Sequence, residues 1–463
     1  MQINTSALKL FKNPILLVFL SMLLYSVFAY DLERSDTTKL FTIYCILFVC
    51  FYQIIQNNKH NLKALTWIAF GLRAVFILAI PNLSQDFYRF IWDGRMILEG
   101  FNPYLFTVAS FFTKDQFPIV QAQELYAGMG NLNASNYTNY PPINQLCFII
   151  AGLFAGKSIL GSVIVMRILI IAADFGTLYF GKKLLEKLNI PKHNIFWYVL
   201  NPFIIIELTG NLHFEGVMIF FLVWSLYLLY SRKWIYAAIV FALSVLVKLI
   251  PLLFLPLFYQ WFVIKKEDSR LDFSGLKKLV VFYSIVGVTI LLLFSPFYSS
   301  QFLSNYTETI GLWFQNFEFN ASIYYIIRGI GYYFSGYNLI AYIGTIIPVF
   351  VILYVLYLTF FKQQKNFVHI ITAMLFALSF YYFTTTTVHP WYIATLLILS
   401  IFTNYKFPLV WSFVIILSYS AYANSENQEN LWIIALEYLV VYGFLIWELF
   451  FKKSMVKTIE IES

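Results

Sequence analysis

Residues 84–104 read Ser84-Gln-Asp-Phe-Tyr-Arg-Phe-Ile-Trp-Asp-Gly-Arg-Met-Ile-Leu-Glu-Gly-Phe-Asn-Pro-Tyr104, and they set Asp86, Arg89, Asp93 and Arg95 just past a long apolar run. Asp, Glu, Lys and Arg make up only 12% of the chain, so ionisable groups this dense between hydrophobic segments mark a site rather than a solvated face. Asp86 and Asp93 are seven positions apart. On a continuous helix both face the same way two turns apart, with Arg89 and Arg95 near that face. A carboxylate at a membrane rim can take the proton of an attacking hydroxyl while neighbouring cations hold an anionic leaving group. The same spacing equally suits structural pairs, Asp86 with Arg89 and Arg89 with Asp93.

Outward from this stretch the chain is overwhelmingly apolar. It is 60% hydrophobic over 463 residues, with 50 Phe and 34 Tyr and a mean hydropathy of +0.73, which overrides the several soluble domains that length alone suggests. The reading is an all-α, polytopic transmembrane helical protein, one membrane domain over 1–463. Runs near 13–30, 39–56, 64–82, 159–181, 194–211, 215–231, 234–249, 250–264, 276–297, 338–361, 366–386, 390–405, 407–423 and 430–451 give about fourteen spans. The first run is read as a retained helix rather than a signal peptide, because it runs the length of a span and lacks a clear small-residue cleavage site. With Lys9, Lys12, Lys59 and Lys63 inside, residues 83–158 form a first large outer-face loop carrying interfacial helices, and 298–337 form a second. Most of the 31 basic residues then fall inside, the asymmetry the positive-inside rule demands. Arg73 and Arg167 lie within spans. Residues 232–266 are either two short spans or one broken helix, because Lys248-Leu-Ile-Pro251 interrupts them. The net charge of +8 sits in short loops rather than on one stripe, so it reads as a topology signal and not as nucleic-acid binding. Cys45, Cys50 and Cys147 have neither the count of a disulfide framework nor metal-ligand spacing.

Other polar groups gather in the loops assigned to the outer face. Lys248 has no acidic neighbour in sequence and wants an anion, such as the phosphate of a lipid-linked substrate, unless it merely snorkels to the interface. His389, before Pro390 and Trp391, either binds a sugar or phosphate or is a hydrogen-bonded structural residue. His213, Glu215, Glu318, Asn320 and Arg328 suit substrate contact and loop packing equally. Tyr137-Thr-Asn-Tyr-Pro-Pro-Ile-Asn-Gln145 combines a rigid di-proline with tyrosines and amides and suits a pocket wall, with Tyr140 in it. Trp92 and Trp391 offer faces for a sugar ring. No Walker A, GxGxxG, zincin or serine-hydrolase signature is present. Charge concentrated on one side, without an internal repeat, favours an enzyme over a transporter or lipid flippase, and a noncatalytic subunit that keeps the fold is the other alternative.

The pattern Asp86-Phe-Tyr-Arg, Trp-Asp93-Gly-Arg, Gly100-Phe-Asn-Pro-Tyr104, Tyr140-Pro-Pro142, Lys248-Leu-Ile-Pro251 and His389-Pro-Trp391 resembles the GT-C membrane glycosyltransferases. Among these it is most similar to bacterial mannosyltransferase-like proteins related to the GPI mannosyltransferases. The resemblance spans nearly the whole chain. It implies a polyprenyl-phosphate sugar donor, with mannose as the sugar, and a glycan or glycolipid acceptor entering from the periplasmic face of a bacterial inner membrane. It also implies an aspartate of the first outer loop, here Asp86, as base, with inversion at the anomeric carbon. Lys248 and an arginine of the loop would stabilise the leaving lipid phosphate, and Arg89, Asp93, Arg95 and Tyr140 would line the substrate. The chain departs from the pattern in two places. Ser84-Gln85-Asp86 has one carboxylate where the GPI enzymes have Asp-x-Asp, which removes support for a divalent metal, and two spans precede the one that leads into the loop, as an added N-terminal hairpin would.

Overall fold

Asn13, Asp36 and Asn61 open the first three helices. Each side chain accepts a hydrogen bond from a first-turn N–H, that of Ile15, Lys39 and Ala64 respectively, which satisfies donors that a helix start leaves unpaired. The helices they begin are α1 (Pro14–Asp31), α2 (Thr37–Asn58) and α3 (Leu62–Ala74). The computed structural model describes residues 13–263, 272–364, 366–424 and 426–452. Lys9 and Lys12, on which the inward N-terminus rests, lie outside the described residues, as does the end of the 232–266 segment.

The stretch at 84–104 forms α4 (Asp86–Leu98) and a short turn, and α5 (Ala122–Ala134) and α6 (Pro142–Ala155) complete the first large loop. There follow α7 (Ile159–Lys187), α8 (Glu215–Tyr230), α9 (Trp234–Val247) and α10 (Phe273–Phe294). The second loop carries α11 (Ser300–Gln315) and α12 (Ile323–Ser335), and α13 (Ile340–Phe360), α14 (Phe367–Thr384), α15 (Ile393–Ile401), α16 (Phe407–Val414) and α17 (Leu431–Phe450) close the bundle.

Among the described residues seven helices are long and apolar enough to cross a membrane: α1, α2, α7, α10 extended to Phe297, α13, α14 and α17. The other runs read as spans are shorter or broken. α9 stops at Val247, Lys248 is extended (φ −148°, ψ 142°), and a 3-10 turn holding Pro251 and Pro256 follows, so the 232–266 segment is interrupted at its lysine. Residues Pro202–Gly210 and α8 form a second broken element, bent by 115°, with Leu212 in the left-handed region at φ 62°. Irregular backbone at membrane depth needs partners inside the protein, and the two in-span arginines supply them. Arg167 donates to the carbonyls of Thr209 (2.8 Å), Gly210 (2.9 Å) and Ile77 (3.0 Å). Arg73 pairs with the buried Asp174 at 2.8 Å and donates to the Val199 carbonyl at 2.7 Å.

One continuous apolar core runs from α1 to α10 and, from the end of α13 (Val355, Leu358), on to α17, while Ala321, Tyr324, Ile343, Ile347 and Val351 form a smaller one between α12 and α13. Leu291 and Leu292 of α10, Val349 and Phe350 of α13 and Leu439 of α17 face outward, as helices do when their outer solvent is hydrocarbon. α4 lies so close to α6 that a Cβ on Gly94 would stand 2.3 Å from the Phe148 carbonyl oxygen.

Candidate active site

The breaks between helices converge on a cavity of about 1270 Å³. Its lining draws on loops that the sequence assigns to one face of the membrane: Asp86 and Arg89 at the start of α4, Tyr140, Glu215 at the start of α8, Lys248, Glu318, Arg328 and His389. Asn211 joins two of these breaks, its Oδ1 accepting from the Leu83 N–H at 3.2 Å. The second loop reaches the site through a short parallel bridge, in which Phe319 N–H donates to the Thr386 carbonyl (3.2 Å) and Val388 N–H to the Phe319 carbonyl (2.8 Å). The Asn-Pro-Tyr of 102–104 is a joint between the loops. Asn102 donates to the Phe297 carbonyl (3.0 Å), the Tyr104 hydroxyl to the Tyr140 carbonyl (2.6 Å), and Asn305 to the Tyr104 carbonyl (3.0 Å).

The two aspartates of α4 have different surroundings. Asp93 is fully buried, and its carboxylate accepts from Arg89 Nε at 2.8 Å and from Gln145 Nε2 at 3.1 Å. Arg89 in turn donates to the carbonyls of Asn133 (2.8 Å) and Asn136 (3.0 Å), which ties α4 to the end of α5. Asp86 is half-buried in the cavity wall and has no ion-pair partner among the described residues; Asn133 Nδ2 donates to its Oδ1 at 3.2 Å. Burial pushes the Asp86 pKa above the usual carboxylate range, the charge of Lys248 opposes that rise, and Glu215 adds to it.

Lys248 does have an acidic partner, 33 positions away in sequence: it forms an ion pair with Glu215 and lies 5.7 Å from the Tyr392 ring centroid. The second Glu215 oxygen, Oε2, is buried without a hydrogen-bond partner. Glu318 pairs with Arg328 and accepts from Tyr324 and Asn338. His213, Trp391 and His389 form a stack, with Trp391 centroids 3.7 Å from His213 and 4.6 Å from His389. His213 Nδ1 lies 2.9 Å from the Glu207 carbonyl; because a carbonyl only accepts, Nδ1 carries the proton. Burial and the charges of Lys248 and Arg34 bring His389 down to about 3, so its ring is neutral near neutral pH.

Asp93, Arg95, His213 and Asn320 lie away from the lining. Arg95 donates to the Val120 carbonyl (2.7 Å) and Gln121 Oε1 (3.1 Å). Asn320 is buried with its backbone at φ 47° and binds Glu429 through its N–H (2.6 Å) and Glu437 through Nδ2 (3.1 Å). Trp92 is packed against Phe111 and Phe112, whereas Trp391 lines the cavity. Charged or aromatic lining residues that the sequence did not single out include Glu429, Tyr422 and Arg34. For Arg34 a signal exists, an arginine in a turn that the topology places on the basic-poor side. Among the described residues no three His, Cys, Asp or Glu side chains are grouped to hold a metal ion.

Residues 23–265 match the family described as "Alpha-(1->6)-mannopyranosyltransferase, N-terminal domain", more than half of the chain. The chain belongs to this mannosyltransferase family. It is therefore a glycosyltransferase, an integral membrane one by its apolar helices, and it works with a sugar donor and a glycan acceptor. No curated protein matches the chain. The matched part of the mannosyltransferase holds Arg34, Asp86, Glu215 and Lys248; Glu318, Arg328, His389 and Tyr422 lie beyond it and complete the same cavity.

Proposed function

We propose that this mannosyltransferase moves mannose from a polyprenyl-phosphate donor to an acceptor hydroxyl, with Asp86 as general base. The observation that carries the reading is Asp86 itself: a carboxylate with no ion-pair partner among the described residues, held above the usual carboxylate range, in the wall of a large cavity. The acceptor oxygen attacks the anomeric carbon, its proton passes to Asp86, and the bond to the phosphate oxygen breaks with the electron pair leaving on phosphate. A single displacement inverts the anomeric carbon, so an α-(1→6) product, as the family description names it, comes from a β-linked donor. The cavity exceeds the ~300–1,000 Å³ common for one small ligand, which suits two substrates meeting in it. Lys248 with Glu215, Tyr140, Glu318, Arg328 and His389 line the space they would occupy. The basic-residue distribution supports the outer, periplasmic face of a bacterial inner membrane as the side of action. No step requires a divalent metal.

The test is transfer from labelled polyprenyl-phosphate mannose by purified protein. Asp86→Asn is expected to bind donor and to lose about 10²–10⁴-fold in transfer rate, the usual share of a general base. Transfer at the wild-type rate by that variant rejects Asp86 as base.

A further inference from the structure

Four arginines or lysines line the cavity, Arg34, Arg89, Lys248 and Arg328. Three are engaged by carboxylates: Arg89 by Asp93, Lys248 by Glu215 and Arg328 by Glu318. Among the described residues Arg34 alone of the four has no carboxylate partner, and its Nε is buried without a hydrogen bond. Its guanidinium carbon sits 3.2 Å from the centroid of the Tyr422 ring. A cation–π contact satisfies none of the guanidinium's N–H donors, which leaves hydrogen-bonding capacity for an anion.

Arg34 belongs to the turn between α1 and α2, and that turn is built to hold its place. Lys39 pairs with Asp31 at 2.7 Å across it, and Asp36 caps α2. Asn82, just before the catalytic stretch, donates to the carbonyls of Phe28 (2.7 Å) and Leu32 (3.0 Å). The hairpin of α1 and α2, whose turn and second helix fall within the family match, is thereby fastened to the segment carrying Asp86.

We propose that Arg34 is the phosphate-binding residue of the site, gripping the phosphate of the lipid-linked donor and of the lipid phosphate that departs; the assignment deepens the donor reading above and rests on it. A planar guanidinium presents paired N–H groups that match two phosphate oxygens, a geometry the ammonium of Lys248 lacks. Displacement also calls for base and leaving group on opposite sides of the anomeric carbon. Arg34 reaches the cavity from the turn between α1 and α2 and Asp86 from the start of α4, so cation and base enter the site from separate elements. Charge on the phosphate grows as the sugar leaves, from a monoanionic diester to a monoester of up to two negative charges, so Arg34 holds the departing group more tightly than the donor and favours the transition state.

The experiment is equilibrium binding of a labelled short-chain polyprenyl phosphate to the purified full-length chain in nanodiscs, beside the corresponding polyprenol and with inorganic phosphate as competitor. Arg34→Gln is expected to weaken the prenyl phosphate about 10- to 100-fold, the loss of a charge-assisted hydrogen-bonded pair, with polyprenol binding unchanged. Arg34→Lys is expected to fall between, since it restores the charge without the fork. Unchanged prenyl-phosphate binding in Arg34→Gln, or equal weakening of phosphate and polyprenol, overturns the assignment. Inorganic phosphate that competes as well as the prenyl phosphate overturns its lipid-linked character. Wild-type protein that binds the prenyl phosphate through Arg34 but transfers no mannose from its mannosyl ester overturns the donor reading and leaves the anion site standing.

Discussion

Neutralising Asp93 and neutralising Asp86 are expected to have opposite consequences. The Arg89–Asp93 pair is 2.8 Å long with side chains 2% and 0% exposed, so Asp93→Asn strands a buried guanidinium. Losing one partner of such a pair costs about 3–5 kcal/mol, a large share of the roughly 5–15 kcal/mol by which domains are stable. The Gln145 bond to Asp93 is weakened as well. At Asp86 the carboxamide keeps an oxygen for Asn133, and the charge that burial penalises is gone, so Asp86→Asn is expected to change stability by less than about 1 kcal/mol. The assay is thermal unfolding of the purified variants in detergent, followed by tryptophan fluorescence, beside mannosyl transfer at a temperature where both are folded. Asp93→Asn is expected to unfold well below the wild type and Asp86→Asn to unfold with it while losing transfer. Arg89→Met with Asp93→Leu is expected to recover part of the stability, since no charge is then buried alone, although the Asn133 and Asn136 carbonyls lose their donor. Wild-type stability in Asp93→Asn, together with lost transfer, refutes the division of labour between the two aspartates.

Two further outcomes follow from the same geometry. Because burial raises the Asp86 pKa in the folded protein, its protonated form favours folding: that contribution is full below the unfolded pKa and fades as pH rises through the raised value. Catalysis runs the other way, so kcat/KM is expected to climb with pH through an acid limb above the ordinary aspartate range; a limb at the ordinary aspartate pKa of about 3.9 contradicts it. Gly94→Ala sets a methyl group 2.3 Å from the Phe148 carbonyl oxygen and is expected to cost about 1–3 kcal/mol or more by forcing α4 off α6, read as a lowered unfolding temperature; an unchanged one contradicts the close approach.

The long helices were legible because about twenty apolar residues have one structural meaning in a membrane, and α1, α2, α7, α10, α13, α14 and α17 fall where those runs predict them. The charged stretch was legible for the converse reason, that ionisable groups beside such runs are costly. What stayed hidden was pairing over distance. Lys248 looks isolated in sequence, and its partner Glu215 becomes visible only when α8 and α9 pack together. Arg34 carries only the faint signal of an arginine on the basic-poor side, and its place in the cavity wall shows once Asn82 ties its hairpin to the stretch carrying Asp86. Asp86 and Asp93 share one face by spacing, yet the packing of α6 gives Asp93 the Gln145 contact and leaves Asp86 to the cavity.

The same residues explain why apolar runs gave more spans than there are long helices. The chain leaves helical geometry before α4, at Asn211 to Phe214, at Lys248 and after Thr384, and each break delivers a residue to the cavity or its wall: Asp86, Glu215, Lys248 and His389. Hydrocarbon does not tolerate unpaired backbone, so such breaks persist only where protein or water in a cavity satisfies them. Arg167 answers the carbonyls at the bend before α8, and the Phe319 bridge answers those after Thr384. At Lys248 the backbone is extended, and its ammonium pairs with Glu215 in the wall of the cavity that Asp86 also lines. The broken spans and the charged site are therefore one feature: the charged side chains lining the cavity sit on backbone that a straight membrane helix does not supply, and the cavity they form is what allows that backbone to exist.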